Sequence, residues 1–197
     1  GRVVGINVCG GKAAFPGVLG TTIFKTFDYK MAKTGLNMRE AGKEGFHPVQ
    51  AIVRGYDRAH YYPGGKESIL KVIADRETSR ILGAQAVGEG PSDKLIDIVA
   101  MALHGKMTCR ELAGVDLAYA PPFSPALSPV IVAANVLMNK IEGKVIGIQA
   151  SEVQDKVSSA KGAYQVLDVR EEKEVKERRI PKSVWIAYGE LEKRMKE

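Results

Sequence analysis

Three consecutive strand-like runs constrain the fold of this chain more than any other feature of its sequence. These runs are Val49–Tyr56, Ser68–Asp75 and Ile81–Val87. Only the polar segment Arg76–Arg80 separates the second run from the third, and a connection that short joins antiparallel neighbours. An earlier run, Thr21–Tyr29, is rich in β-branched and aromatic residues and predicts the first strand. We therefore expect a mostly antiparallel sheet.

Helix signals surround these strands. Ser92–His104 carries apolar residues three and four positions apart and precedes Gly105, which predicts an amphipathic helix. Asn37–Glu40 and Thr108–Glu111 share the spacing of a capping box, which predicts a short helix after each. A Ser-Pro pair opens the nearly all-apolar helix Ser128–Met138, which either the sheet or another subunit must cover. The predicted fold class is α+β, with helices packed on the sheet.

The composition of the chain changes near Ile148, where a glycine-punctuated stretch gives way to a more highly charged sequence. We therefore predict one domain over residues 1–147 and a second segment over residues 148–197. The second segment alternates between helix and strand, and its predicted elements are Ser151–Ala160, Tyr164–Val169, Glu171–Arg178 and Val184–Ala187. A βα layer of this size has too few elements to cover both faces of its sheet.

Charge and cysteine usage narrow the possible partners. Lys and Arg total 29 against 23 Asp and Glu, but they are spread along the chain, so we expect no nucleic-acid partner. The uncharged run Leu117–Asn139 is long enough to span a bilayer, yet prolines near its start predict a rigid loop that leads into a buried helix, with no membrane partner.

Cys9 and Cys109 form no CxxC pair, which argues against a metal site and favours a reducing, cytoplasmic location. The first residues lack an initiator Met and a signal-like stretch, so we expect a piece of a longer protein.

A glycine cluster near the N-terminus invites comparison with phosphate-binding loops. Gly5, Gly10, Gly11 and Lys12 do not fit the Walker pattern, because Ile6 stands where that pattern requires glycine. The GxGxxG fingerprint fails as well. The cluster is better interpreted as a turn after a short helix.

Two stiff segments present tyrosines. The run from Tyr119 to Pro125 contains adjacent prolines, which fix the backbone and hold a flanking side chain at little entropic cost. Tyr61 and Tyr62 precede the turn Pro63–Gly65. A phenol is neutral near pH 7 and can donate a hydrogen bond to a developing thiolate. The alternative for Tyr119 is a side chain packed on a rigid crossover between helices, and the alternative for Tyr61 and Tyr62 is an aromatic pair at a sheet edge. The residues alone leave display and packing both open.

Three motifs in the expected order carry a family resemblance. Phe15–Asn37, Ile81–Gly88 and Asp116–Val130, the last containing the run YAPPFS, resemble the C-terminal dimerisation domain of flavin-dependent pyridine nucleotide-disulfide oxidoreductases. The YAPPFS run is most similar to the coenzyme A-disulfide reductase and NADH oxidase branch. The resemblance covers about residues 1–144, and residues 1–20 look like the tail of the FAD domain.

This resemblance implies an intact enzyme with FAD, NAD(P)H and one redox-active cysteine, which neither Cys9 nor Cys109 matches. It implies a homodimer in which Tyr119 and Tyr61 assist the redox cysteine of the partner subunit, with coenzyme A disulfide or a related sulfur species as substrate. The chain alone is expected to bind no cofactor and to be inactive. An NADH oxidase or peroxidase on the same scaffold and a non-catalytic dimerisation or docking module are the alternatives.

The second segment has a resemblance of its own. Val166–Glu171, Arg179–Pro181 and Val184–Ala187 are similar to the first half of a rhodanese domain. In that likeness Asp168 and Arg170 match an element that braces the active loop. The catalytic cysteine loop of a rhodanese has no counterpart in the sequence, so we expect no persulfide chemistry here and interpret the pair as a structural salt bridge at a strand end.

Overall fold

A computed structural model describes residues 1–148, 150–159 and 164–194 of the 197-residue chain. The chain divides into two compact units, Gly1–Ile146 and Gly147–Glu197. No helix among the residues described has both the length and the apolar character needed to cross a bilayer.

The first unit contains a five-stranded sheet in which every pairing is antiparallel. Its spatial order is β1-β2-β5-β4-β3. The strands are β1 (Thr22–Thr26), β2 (Tyr29–Gly35), β3 (Pro48–Tyr56), β4 (Glu67–Asp75) and β5 (Ile81–Gly88). The predicted α+β class and the antiparallel β4–β5 hairpin are therefore confirmed.

The predicted single strand over Thr21–Tyr29 is wrong. Strand β1 ends at Thr26, which pairs with Tyr29 at the start of β2, so the chain reverses over the two residues Phe27 and Asp28. Phe27 adopts a positive φ of 49°, which a two-residue hairpin turn requires and which an aromatic residue rarely supplies. The aromatic run thus forms two paired strands in place of one.

The helices of the first unit are α1 (Arg2–Val8), α2 (Met38–Lys43), α3 (Ser92–His104), α4 (Cys109–Ala113) and α5 (Pro129–Ile141). Both predicted capping boxes form: the Asn37 side chain accepts from the Glu40 amide at 2.9 Å, and the Thr108 hydroxyl accepts from the Glu111 amide at 3.3 Å. The Ser128 hydroxyl accepts from the Val130 amide at the start of α5. These local signals confirm the predicted helix starts.

Helices α3 and α5 lie on one face of the sheet and build the main core. The fully buried side chains that meet there include Leu70, Val72, Val99, Val130 and Leu137. The sheet thus covers the buried side of α5. On the opposite face α2 covers only one end, through a small cluster of Ala41, Ile73 and Leu82.

The second unit contains α6 (Ala150–Ser159), β6 (Leu167–Asp168), α7 (Glu172–Glu177), β7 (Val184–Trp185) and α8 (Tyr188–Arg194). Strands β6 and β7 pair in parallel. The predicted strands Tyr164–Val169 and Val184–Ala187 are both too long, because the ladder between them closes only two residue pairs. The predicted end of the first helix, Ala160, lies outside the described residues, and α8 has no counterpart in the sequence prediction.

Candidate functional site

Tyr61 lies in the connection between β3 and β4, which we call the 57–66 loop. The loop is closed at its base, where the Asp57 amide donates to the Lys66 carbonyl at 3.0 Å and the Lys66 amide donates to Asp57 Oδ1 at 2.9 Å. Within it the Tyr62 amide donates to the Ala59 carbonyl at 2.9 Å. This closure makes Tyr61 a side chain at the tip of a short, hydrogen-bonded loop.

Tyr119 lies in the connection between α4 and α5, residues 114–128, which we call the Tyr119 loop. A turn follows the tyrosine, since the Phe123 amide donates to the Ala120 carbonyl at 2.9 Å. One hydrogen bond joins the two loops: the Ala59 amide donates to the Pro121 carbonyl at 2.9 Å. The carbonyl of Pro121, the first of the two adjacent prolines, therefore anchors the 57–66 loop, which carries Tyr61.

A close approach between β3 and α5 fixes the floor of the site. A Cβ atom at Gly55 would lie 3.1 Å from Pro129 Cβ and closer still to Pro129 Cγ. Only glycine allows the first turn of α5 to approach this strand so closely. The 57–66 loop begins two residues after Gly55, and the Tyr119 loop ends at the residue before Pro129.

Tyr61 and Tyr119 line the same groove, which has a volume of about 310 Å³. Their side chains are 65% and 52% exposed, so neither is packed away within the chain. Desolvation raises the pKa of the Tyr61 phenol above its ordinary value of 10.0, and interaction with the Tyr119 phenol raises it further. Tyr62 does not line the groove. The structure therefore brings together the two tyrosines that the sequence singled out and separates Tyr62 from them.

Both phenols are hydrogen-bond donors at neutral pH. The raised pKa of Tyr61 keeps its proton in place well above pH 7. Two donors that converge on one solvent-exposed groove can stabilise negative charge developing on an atom placed between them. The groove can therefore stabilise an anion that forms between the two phenols.

Sequence reasoning missed the residues that brace the 57–66 loop. The Arg58 side chain forms two hydrogen bonds with the Asp57 carboxylate, each 2.9 Å long, and a third with the Pro63 carbonyl at 3.1 Å. Hydrogen bonding from Arg58 lowers the pKa of Asp57 and outweighs the effect of desolvation. The only sequence signal for this bracing was the adjacent Asp57-Arg58 pair, which precedes Tyr61 and Tyr62.

Asp168 and Arg170 meet in the second unit. Arg170 donates through Nε to Asp168 Oδ1 at 3.0 Å and through Nη2 to Oδ2 at 2.8 Å. The same Nη2 donates to the Arg178 carbonyl at 2.6 Å, and Trp185 Nε1 donates to the Arg170 carbonyl at 2.9 Å. Hydrogen bonding from Arg170 lowers the pKa of Asp168. The pair ties the end of β6 to the segments beside it, as a bracing salt bridge does.

The glycine cluster near the N-terminus does not form a dinucleotide-binding unit in the described structure. Gly10 and Gly11 follow α1 in a turn that leads into an extended segment, not into a strand–turn–helix unit that could hold a dinucleotide phosphate. No group of three or more potential metal-ligating side chains occurs within residues 1–148, 150–159 and 164–194. We assign no FAD or nicotinamide contact to the Gly10–Gly11 turn.

The two cysteines differ in their surroundings: Cys9 is exposed and Cys109 is buried. Burial raises the pKa of the Cys109 thiol to about 11, which leaves almost no thiolate at pH 8. We expect iodoacetamide at pH 8 to alkylate Cys9 at least about 100 times faster than Cys109, as peptide mass spectrometry can measure. A Cys9→Ser chain should take up no label until it is unfolded, and rapid labelling of that variant would contradict the buried position of Cys109.

Comparison with known proteins identifies the class to which the chain belongs. Residues 21–130 match the family model for the pyridine nucleotide-disulphide oxidoreductase dimerisation domain. The chain belongs to this family, whose enzymes use FAD and NAD(P)H.

Two of the similar proteins are named as a sulfur oxidoreductase and a persulfide reductase. The chain is 47% identical over 137 residues to the CoA-dependent NAD(P)H sulfur oxidoreductase of Pyrococcus abyssi, an alignment covering 70% of this chain and 30% of that protein. The structure of an NAD-dependent persulfide reductase from A. fulgidus matches with a TM-score of 0.87 and 43% identity, covering 100% of this chain and 35% of the other. The structure of reduced Bacillus anthracis CoADR-RHD matches with a TM-score of 0.91 and 31% identity over the same shares. The chain thus spans about a third of the length of these relatives.

Proposed function

We propose that this chain is the dimerisation part of a flavin-dependent NAD(P)H-disulfide oxidoreductase that reduces coenzyme A disulfide or a related sulfur species in the cytoplasm. In this proposal the chain forms a homodimer and presents Tyr119 and Tyr61 to the redox cysteine of the partner subunit. The observation that carries the proposal is the convergence of two exposed phenols on one groove. The names of the relatives, which specify coenzyme A or persulfide, support the substrate class.

The proposed role of the phenols is to donate hydrogen bonds to the sulfur that leaves when a disulfide is reduced. When S–S cleavage delivers an electron pair to the departing sulfur, a thiolate forms, and a nearby O–H stabilises it or protonates it. Neutral phenols suit this task because their ordinary pKa near 10 lies above that of a thiol, about 8.5. FAD would supply the electrons in the intact enzyme, and this chain would supply the donors.

The exposure of the tyrosines bears on the alternative functions. A non-catalytic module in which both tyrosines merely pack would bury them within one subunit, whereas both are more than half exposed. The NADH oxidase alternative uses the same scaffold and differs in its electron acceptor. If oxygen alone sustained full turnover of NAD(P)H in the intact enzyme, that alternative would replace disulfide reduction.

The proposed domain organisation places the dimerisation domain at residues 1–147 and a rhodanese-like segment at residues 148–197. Support comes from the pairing of Asp168 with Arg170 at the end of β6 and from the parallel arrangement of β6 and β7. The match to CoADR-RHD extends over the whole chain, the second unit included. In this proposal Asp168 and Arg170 form a salt bridge that braces the end of β6.

The test is to replace Tyr119 in the intact enzyme. We expect Tyr119→Phe to lower kcat for coenzyme A disulfide reduction about 10- to 100-fold, because phenylalanine keeps the ring and removes only the O–H donor. Tyr62→Phe is the matched control, since Tyr62 adjoins Tyr61 without lining the groove, and it should stay within about twofold of wild type. The rate at which NAD(P)H reduces the flavin should not change in either variant. A wild-type kcat for Tyr119→Phe would contradict the proposed role.

A further inference from the structure

The position of Tyr61 depends on a loop that contains turns but no helix or strand of its own. The 57–66 loop includes Gly64, with a positive φ of 74°, and Gly65, so its backbone has little intrinsic stiffness near the tyrosine. A side chain on such a loop occupies one position only if other contacts remove the remaining conformations. The contacts in question are those of Asp57 and Arg58.

The Asp57 carboxylate and the Arg58 guanidinium form a closed set of hydrogen bonds across the loop. Oδ1 of Asp57 accepts from the Lys66 amide and from Arg58 Nε, and Oδ2 accepts from Arg58 Nη2, each at 2.9 Å. Arg58 Nη1 then reaches the Pro63 carbonyl at 3.1 Å. These bonds join Asp57 and Arg58 to Pro63 and Lys66, one on each side of the glycine turn. Tyr61 lies in the stretch of chain between the bonded positions.

This ion pair differs from an ordinary surface salt bridge. The Arg58 and Asp57 side chains are only 27% and 22% exposed, and the guanidinium binds the carboxylate through two parallel hydrogen bonds. A planar, bidentate pair fixes orientation as well as distance, which a lysine at the same position cannot do. Arg58 also lines the groove that Tyr61 shares with Tyr119.

We propose that Asp57 and Arg58 are positioning residues for Tyr61, and that their paired side chains hold the 57–66 loop so that the Tyr61 phenol stays beside Tyr119. The hydrogen bond from the Ala59 amide to the Pro121 carbonyl completes this arrangement by fixing the loop against the Tyr119 loop. The catalytic consequence rests on the proposed function, whereas the placement of the ring does not.

The first test measures the placement of the ring in the 197-residue chain without any assay of activity. Tyrosine labelled with ¹³C at Cζ reports the pKa of Tyr61 by NMR, and the Tyr61→Phe chain identifies the signal. In the wild-type background Tyr119→Phe should lower the pKa of Tyr61, because the Tyr119 phenol raises it. In the Arg58→Met background Tyr119→Phe should have no effect on the pKa of Tyr61, since the two phenols have separated.

Matched variants separate positioning from general damage to the fold. Arg110→Met removes an arginine of α4 that pairs with Glu142 at the end of α5; Arg110 does not line the groove, so the Tyr61 pKa should stay unchanged. Arg58→Lys keeps the charge but loses the bidentate geometry and should give an intermediate result. Circular dichroism checks that each variant is folded. If the effect of Tyr119→Phe on Tyr61 persists fully in folded Arg58→Met and in folded Asp57→Asn, the proposal is overturned.

The second test measures kinetics in the intact enzyme. Arg58→Met should lower kcat for coenzyme A disulfide about tenfold or more with little change in KM, as Tyr61→Phe should. Combining the two substitutions should cost less than about twofold beyond the larger single effect, because both remove the same interaction. Multiplying effects would contradict the assignment of Arg58 to Tyr61. If the NMR result holds while Tyr61→Phe has wild-type kcat, the positioning stands and the catalytic role of Tyr61 fails.

Discussion

Gly83→Ala is expected to destabilise the first unit by about 2–4 kcal/mol, among the largest effects of any conservative substitution in this chain. Gly83 is buried in β5, the central strand, between β2 and β4. An added Cβ would lie 2.7 Å from the Leu36 amide nitrogen and 2.9 Å from the Thr34 carbonyl oxygen, and closer still to the Leu36 carbonyl oxygen. These are backbone atoms, so no side-chain rotation can relieve the overlap.

The measurement is urea denaturation of the 197-residue chain followed by circular dichroism. Gly42→Ala is the matched control, because Gly42 is exposed in α2 and a Cβ there would meet nothing within 4 Å. That control should stabilise the chain by about 0.5–1 kcal/mol, the usual gain from replacing glycine in a helix. Equal unfolding midpoints for Gly83→Ala and wild type would show that β5 does not approach the chain after β2 so closely.

The helices and caps of this fold were predictable because their signals are local. A capping box depends on two residues three positions apart, and both Asn37 with Glu40 and Thr108 with Glu111 form one. The periodicity of Ser92–His104 likewise predicted α3 with the observed bounds. Such features need no knowledge of the rest of the chain.

The β1–β2 hairpin was not predictable from its residues because its turn lacks the usual chemistry. A two-residue hairpin turn ordinarily contains Asn-Gly or Asp-Gly, whereas here Phe27 takes the positive φ and Asp28 follows it. The placement of β5 between β2 and β4 is also a non-local property. It depends on Gly83 and Gly35 facing each other across the strands, which periodicity within one strand cannot indicate.

The candidate site was predictable in part. The stiff Tyr119 run and the turn after Tyr61 left displayed and packed tyrosines both open, and the family resemblance selected Tyr119 and Tyr61. Their proximity depends on the bond from the Ala59 amide to the Pro121 carbonyl, between residues far apart in sequence. The bracing role of Asp57 and Arg58 stayed hidden because an adjacent acid–base pair is common on any protein surface.

Mixed dimers of the intact enzyme should show which subunit each tyrosine serves. In a two-fold symmetric dimer each active site takes its redox cysteine from one subunit and, in our proposal, its phenols from the other. One subunit carries Ser in place of the redox cysteine, and its partner carries Tyr61→Phe with Tyr119→Phe. One site then lacks both cysteine and phenols, while the second retains its cysteine and receives both phenols. We expect about half the wild-type activity, although the double tyrosine homodimer should be impaired about 10²- to 10³-fold.

Placing all three substitutions on one subunit, beside a wild-type partner, reverses the expected result and provides the matched control. The only intact redox cysteine then faces substituted tyrosines, so activity should fall to about half that of the double tyrosine homodimer, which has two such sites. If the tyrosines served their own subunit, the wild-type subunit would act alone and the two mixed dimers would exchange activities. Two affinity tags purify each mixed dimer, and both are assayed for coenzyme A disulfide reduction. The contrast therefore tests action across the dimer, because both mixed dimers carry the same three substitutions and differ only in how these are distributed between the two subunits.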